Sequence, residues 1–232
     1  MKVLFAGPSL FAQDPDLTGI DLRPPARQGD IHHAVRNGAD AIGLVDGVFG
    51  FVPSVWHKEI LFALSQGVRV LGGASLGALR AAECHSFGME PVGVIARAYA
   101  NGVRYEDADV CLAHAPAELN FMPLSEPLVD VEASVAALLE RDLLTGEQAW
   151  AWLEAARDVY FADRTVEAML ERAGLPAELG DAYRLNRVGV KARDALELVE
   201  RLRALPASRG LAPDGWSFRP SDPWRAYVAT LA

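Results

Sequence analysis

Val68-Arg-Val-Leu-Gly-Gly-Ala-Ser-Leu-Gly-Ala-Leu-Arg-Ala-Ala-Glu83 is the stretch on which the fold turns. It opens on an apolar run, Val68–Leu71, bends through glycines, and continues from Ala78 to Glu83 in strong helix formers. Strand, tight turn and helix form the repeating step of a parallel α/β sheet. Two similar apolar runs lie upstream, Val3–Ala6 and Ala41–Val45, each ending in a glycine-containing turn. A fourth, Val110–Ala115, follows the acidic stretch Glu106–Asp109. Such runs, set between helical patterns, predict buried parallel strands. The segments between them predict helices over Gly29–Asn37, Ser54–Gln66 and Leu76–Phe87, the second framed by Pro53 and Gly67.

The character changes near Val129. Helical patterns follow at Leu138–Leu144, Glu147–Tyr160, Thr165–Ala173 and Lys191–Leu205, and Thr145 with Gln148 fits a capping box for the second of these. From Pro206 to Ala232 the chain predicts an extended tail held by Trp216 and Trp224. The expected organisation is an α/β catalytic core over 1–128, with a small, mainly parallel sheet and its helices. A helical region over 129–232 carries the tail.

Hydrophobic residues make up 51% and charged residues 23% of 232, an ordinary globular composition. The net charge is −9, and no basic stripe is present to neutralise phosphates, so no nucleic-acid partner is expected. Cys84 and Cys111 form no CxxC pair, and no Cys/His group has zinc-ligand spacing. A reducing cytoplasm is the expected setting. The start, MKVLFAGPSL, reads as a strand and not as a signal peptide, and no apolar run is long enough for a membrane span.

Gly73-Ala-Ser-Leu-Gly77 matches GxSxG in its required strand–turn–helix setting. The turn lifts the Ser75 hydroxyl to a helix N-terminus, where free N–H groups such as that of Leu76 can stabilise an oxyanion. Ser75 reads as a nucleophile, with a helix cap and an anion site as the competing readings. A serine nucleophile needs a base. His85 lies ten residues on along the same predicted helix and points away. His114 is a possible base by chain order. Lysine is the stronger candidate, because arginine keeps its proton and lysine loses it when buried. The chain has three lysines, Lys2, Lys58 and Lys191. Lys58 lies in about the first turn of the helix that precedes the serine strand. A right-handed crossover brings that helix start to the same sheet edge as Ser75. Apolar neighbours Leu61 and Phe62 would desolvate it, with a plain surface lysine as the competing reading. The loops Gly7-Pro8-Ser9 and Asp46-Gly47 share that edge, where open α/β sheets bind ligands. Gly7, Ser9, Asp46 and Gly73, with Leu76, are therefore candidate oxyanion or substrate-binding residues. Asp46 reads equally as a loop or cap residue.

Several segments together resemble the TfuA-like family. They are Phe5-Ala-Gly-Pro-Ser9, Asp46-Gly-Val-Phe49, Val52-Pro-Ser-Val-Trp-His-Lys-Glu-Ile60, Ala63-Leu-Ser-Gln-Gly67, Gly73-Ala-Ser-Leu-Gly-Ala-Leu-Arg-Ala-Ala-Glu83, Phe87-Gly-Met89, His114-Ala-Pro-Ala-Glu118 and Pro123-Leu-Ser-Glu126. The resemblance covers roughly residues 1–140. It implies a role beside a YcaO-family enzyme in peptide backbone thioamidation. The implied reaction is hydrolysis of the C-terminal thiocarboxylate of a ThiS-like sulfur carrier protein, releasing sulfide. It also implies a Ser–Lys pair, carried here onto Ser75 and Lys58, and a peptide substrate reached through the YcaO enzyme. Other members can carry methionine at the position of Leu76, which leaves the backbone N–H in place. The chemistry calls for no metal and no cofactor. A non-catalytic adaptor for the YcaO enzyme and a small-molecule serine esterase are the alternatives.

Overall fold

The computed structural model describes residues 1–48, 50 and 52–230; Phe49, the last residue of the Asp46–Phe49 segment, lies outside the described residues. Five parallel strands form one sheet: β1 (Lys2–Phe5), β2 (Ile20–Arg23), β3 (Ala41–Leu44), β4 (Arg69–Gly73) and β5 (Glu90–Val92). Their order is β2-β1-β3-β4-β5, the doubly wound arrangement whose direction reverses between β1 and β3. The α/β reading of the sequence therefore holds, and so does the parallel pairing of its first three apolar runs.

Side chains alternate across the sheet as strand geometry requires. Val3, Phe5, Ile42, Leu44 and Val70 enter one core with α1 (Asp30–Arg36), α2 (His57–Ser65), α3 (Leu76–Cys84) and α4 (Gly93–Ala100). Glu59 is fully buried where two of these helices begin. Its carboxylate accepts the N–H groups of Gly29 and His32 at the start of α1 and of Trp56 at the start of α2. Burial raises its pKa against the pull of those bonds. Gly67, at φ +73, ends α2, and a Cβ there would meet the Gly210 carbonyl at 2.2 Å.

The second half contributes α5 (Leu128–Glu140), α6 (Gly146–Asp158), α7 (Val166–Ala173), α8 (Leu179–Leu185), α9 (Val190–Ala204) and α10 (Asp222–Thr230). Helices α5 to α8 form their own core, in which Trp152 stacks on Tyr183 with ring centroids 5.4 Å apart. Trp150, two residues away, is exposed. The Thr145–Gln148 capping box is present in both directions. Helix α9 behaves differently. Ala195, Leu198, Val199 and Leu202 cover Leu4, Val45, Leu71, Ala74 and Val92 on the sheet's other face. A helix from beyond residue 128 thus completes the α/β core. No helix is long and apolar enough to cross a membrane among the described residues.

Three expectations need correction. Val110–Ala115 is not a strand. Val110 and Cys111 are buried, and the Val110 carbonyl accepts a side-chain amine; only His114 makes an isolated antiparallel bridge, to Pro123. The helix expected over Leu138–Leu144 begins at Leu128 and stops at Glu140, with Asp142 turned to φ +56 just beyond. The tail is not wholly extended: α10 folds back and seats Trp224 against Phe62, Phe218 and His32 at 5.3–5.7 Å between ring centroids.

Candidate functional site

The turn from β4 into α3 is tight at atomic scale. A Cβ on Gly77 would lie 1.7 Å from the Leu44 carbonyl oxygen, and one on Gly72 would lie 2.2 Å from the Gly77 carbonyl oxygen. Both glycines are therefore required by packing. The left-handed residue is Ala74, at φ +61, one position before the serine. Non-glycine residues held there carry about 1 kcal/mol or more of strain. Ser75 follows with φ −124 and ψ −125 and is 4% exposed.

Ser75 occupies the N-cap position of α3, yet its side chain makes no capping bond. The hydroxyl is therefore not used as a cap. The Gly77 N–H is taken by the Val45 carbonyl at 3.1 Å, whereas the Leu76 N–H has no partner among the described residues. Leu76 thus offers a free donor beside the serine. Gly73 is held in close packing: a Cβ there would meet the Val92 carbonyl at 2.7 Å and Leu198 at 3.3 Å, so no side chain fits at this position.

The loop after β1 is also committed elsewhere. Asp46 is 1% exposed, and its Oδ2 accepts the N–H groups of Gly7 and Ser9 at 2.8 and 3.0 Å. The Ser9 hydroxyl donates to Oδ1 at 2.7 Å. The donors expected to face a substrate thus hold the Asp46 carboxylate, which fills the space at the β1/β3 reversal. Gly7 and Ser9 are loop anchors, and Asp46 takes the loop role that the sequence left open. Just beyond, Ala26 pairs with Gly47 across the end of β1. Gly47 presses on Leu76, whose Cδ2 would be 1.9 Å from an added Cβ.

Lys58 is not joined to Ser75. Its ammonium donates to the Arg219 carbonyl at 3.1 Å and lies 5.3 Å from the centroid of the Phe218 ring. At the start of α2, His57 pairs with Glu83 of α3, and Lys58 is turned onto the tail instead. The crossover argument gave the helix start its sheet edge but not the direction of the side chain. His114 is not joined to Ser75 either. Its Nδ1 contacts the Ala115 carbonyl at 2.8 Å, and its ring meets Phe121 edge-on.

The residue that sequence reasoning passed over is Lys191. Helix α9 runs from the carboxyl edge of the sheet to the amino edge. Near its start Asp194 accepts the Ile95 N–H, just after β5, at 2.8 Å; near its end the Arg203 carbonyl accepts from Lys2, at the start of β1. Lys191, second residue of α9, therefore sits at the same edge as Ser75. Its N–H donates to Asp130 at 3.0 Å, and its amine donates to the Val110 carbonyl at 2.6 Å. The side chain is 2% exposed, the most buried of the three lysines. Burial holds its pKa below the ordinary lysine value, against the attraction of Asp46, then Asp130 and Cys111. Burial also pushes the Cys111 thiol up to about 11, so it is protonated at neutral pH. Scarcity of lysine was the one available signal for Lys191; its place at the edge depends on a helix far along the chain.

The TfuA-like protein family model matches residues 46–165, just over half of the chain. That span holds Asp46, Lys58 and the whole turn around Ser75. No curated protein matches the sequence. With the family model, the segments quoted from the sequence and the strand–turn–helix geometry in agreement, the chain belongs to the TfuA-like family.

Proposed function

We propose that the protein is a serine hydrolase that releases sulfide from the C-terminal thiocarboxylate of a ThiS-like sulfur carrier protein. In this role it supports a YcaO-family enzyme in peptide backbone thioamidation. The carrying observation is an uncapped Ser75 beside the free Leu76 N–H, at the sheet edge where Lys191 is buried. Lys191 replaces Lys58 as the amine of the pair, because Lys58 is engaged by the tail.

The neutral Lys191 amine takes the Ser75 proton as Oγ attacks the thiocarboxylate carbon. The Leu76 N–H supports the oxyanion. The C–S bond breaks, the proton passes to sulfur, and hydrosulfide leaves an acyl-serine ester. Water then attacks that ester, and the carrier departs as a carboxylate with the serine proton restored. The sum is thiocarboxylate plus water giving carboxylate plus hydrogen sulfide, with no oxidant or reductant. A serine residue that is 4% exposed requires the surrounding loops to open for the carrier tail.

The test is sulfide release from a thiocarboxylated carrier. Ser75→Ala should abolish it while the circular dichroism spectrum is unchanged. Turnover near the wild-type rate in that variant would leave the adaptor reading, in which the chain only docks the YcaO enzyme.

A further inference from the structure

The two edges of the sheet are not alike. β5 contains Pro91, which has no N–H to offer another strand, and Glu90 is engaged by Arg201. β2, at the other edge, is open. The Ala6 N–H donates to the Arg23 carbonyl at 3.1 Å, in the register that pairs Phe5 with Arg23. Strand alternation then turns the backbone groups of Asp21 and Arg23 toward β1 and those of Leu22 outward. Neither Leu22 group has a partner among the described residues, and its side chain is 48% exposed. The neighbouring outward positions offer no donor: the Ile20 N–H is taken by Leu17, and Pro24 has none.

This edge leads into a cavity of about 510 Å³ lined by Leu22, Phe11, Arg23 and Phe121. Phe121 sits at φ +56, directly after Asn120 at φ +51. Its ring lies over Gly7, where an added Cβ would meet Cγ at 3.1 Å. On its other side is a cavity of about 390 Å³ that holds Val48 and Arg27. Arg27 is exposed and forms no ion pair among the described residues. Neither cavity is lined by Ser75; the two share Arg23, Pro24 and Phe121, and the second reaches Val48, the neighbour of Gly47, which packs on Leu76.

The geometry points to the β2 edge as the docking strand for an extended protein C-terminus, which pairs with Leu22 and passes Phe121 and Arg27 on its way to Ser75. The added strand is parallel to β2, because only that direction brings a C-terminus to the carboxyl edge of the sheet. Leu22 supplies one donor and one acceptor to it. Arg27 attracts the anionic end group. From the added strand to β4 is four strand spacings, roughly 19 Å, or about six extended residues beyond the paired one. The proposal rests on the thiocarboxylate reading for the chemistry at Ser75, but the binding step stands without it.

The binding test uses the full chain carrying Ser75→Ala and a fluorescein-labelled peptide of about eight residues ending in Gly-Gly with a free carboxylate. The anisotropy titration should show saturable binding. Leu22→Pro removes the outward donor and leaves the ladder to β1 intact, and Arg27→Glu reverses the guiding charge. Each should weaken binding about tenfold, close to the loss of one good hydrogen bond or ion contact, and C-terminal amidation of the peptide should do the same. Should Leu22→Pro fail to fold, Arg27→Glu and the amidated peptide carry the decision. Absence of binding, or equal binding by folded variants, overturns the proposal. In the turnover assay with the serine restored, these variants should raise KM for the thiocarboxylated carrier, and the wild type should also hydrolyse thioacetate. If the wild type hydrolyses neither while the peptide still binds through Leu22 and Arg27, the reaction is wrong and the docking strand stands.

Discussion

The Lys58 ammonium reaches the main-chain carbonyl of Arg219, 161 residues further along the chain, at 3.1 Å. That contact ties the start of α2 to the tail. It also gives the first expectation. Lys58→Met should retain most sulfide-releasing activity and lose under about 1 kcal/mol of stability, the usual scale of a partly exposed cation contact. Urea denaturation and a turnover assay check both. Complete inactivity with an intact fold would return Lys58 to the reaction.

Lys191 carries the opposite expectation. A base works when unprotonated, so the rate should climb with pH through a value below the ordinary lysine pKa, in the direction that burial imposes. Lys191→Arg should be inactive at every pH, because a guanidinium stays protonated. Loss of the base should cost on the order of 10²–10⁴-fold. Stability provides an independent reading. Between the native value and the ordinary one, the unfolded chain binds more protons than the native chain, so stability rises with pH across that window. Lys191→Met should flatten this rise in urea titrations at stepped pH.

Asp46→Ala should destabilise the protein by about 3 kcal/mol, since it strips the acceptor from three buried or half-buried donors of Gly7 and Ser9. It also removes the carboxylate that draws the Lys191 pKa upward. In any variant that remains folded, the ascending limb of the rate profile should therefore move to lower pH. A limb that stays in place would separate Asp46 from the amine.

Gly77→Ala should fail to fold, or should lose about 3 kcal/mol or more, because its methyl would lie 1.7 Å from a main-chain oxygen. Gly146→Ala, with nothing within 4 Å of the added carbon, should be neutral to slightly stabilising. Thermal midpoints of the pair test whether the motif glycine is demanded by packing.

The central β4–α3 step was legible because its apolar run, glycines and helix formers agree with one another. β2 and β5 were not legible. Ile-Asp-Leu-Arg and Glu-Pro-Val are edge strands, short and half polar, and lack the hydrophobic run that marks a central strand. Val110–Ala115 had such a run but no sheet to join: Val110 is buried in the core that holds Ile95, Tyr99 and Val129, and the proline edge of β5 offers no extension. At the site, the serine and the free N–H beside it followed from local spacing. The buried amine did not, because Lys191 reaches the edge through a contact between the last long helix and a sheet more than a hundred residues earlier.

The closure of the sheet by α9 sets an order on synthesis. Until Leu198 and Leu202 have left the ribosome, Leu4, Leu71 and Val92 have no cover on that face. The first half can form strand pairs as it emerges, but it presents a bare apolar surface while some hundred further residues are translated. A fragment ending before Val190 should consequently be sticky and chaperone-bound. Supplying α9 as a separate peptide should rescue it.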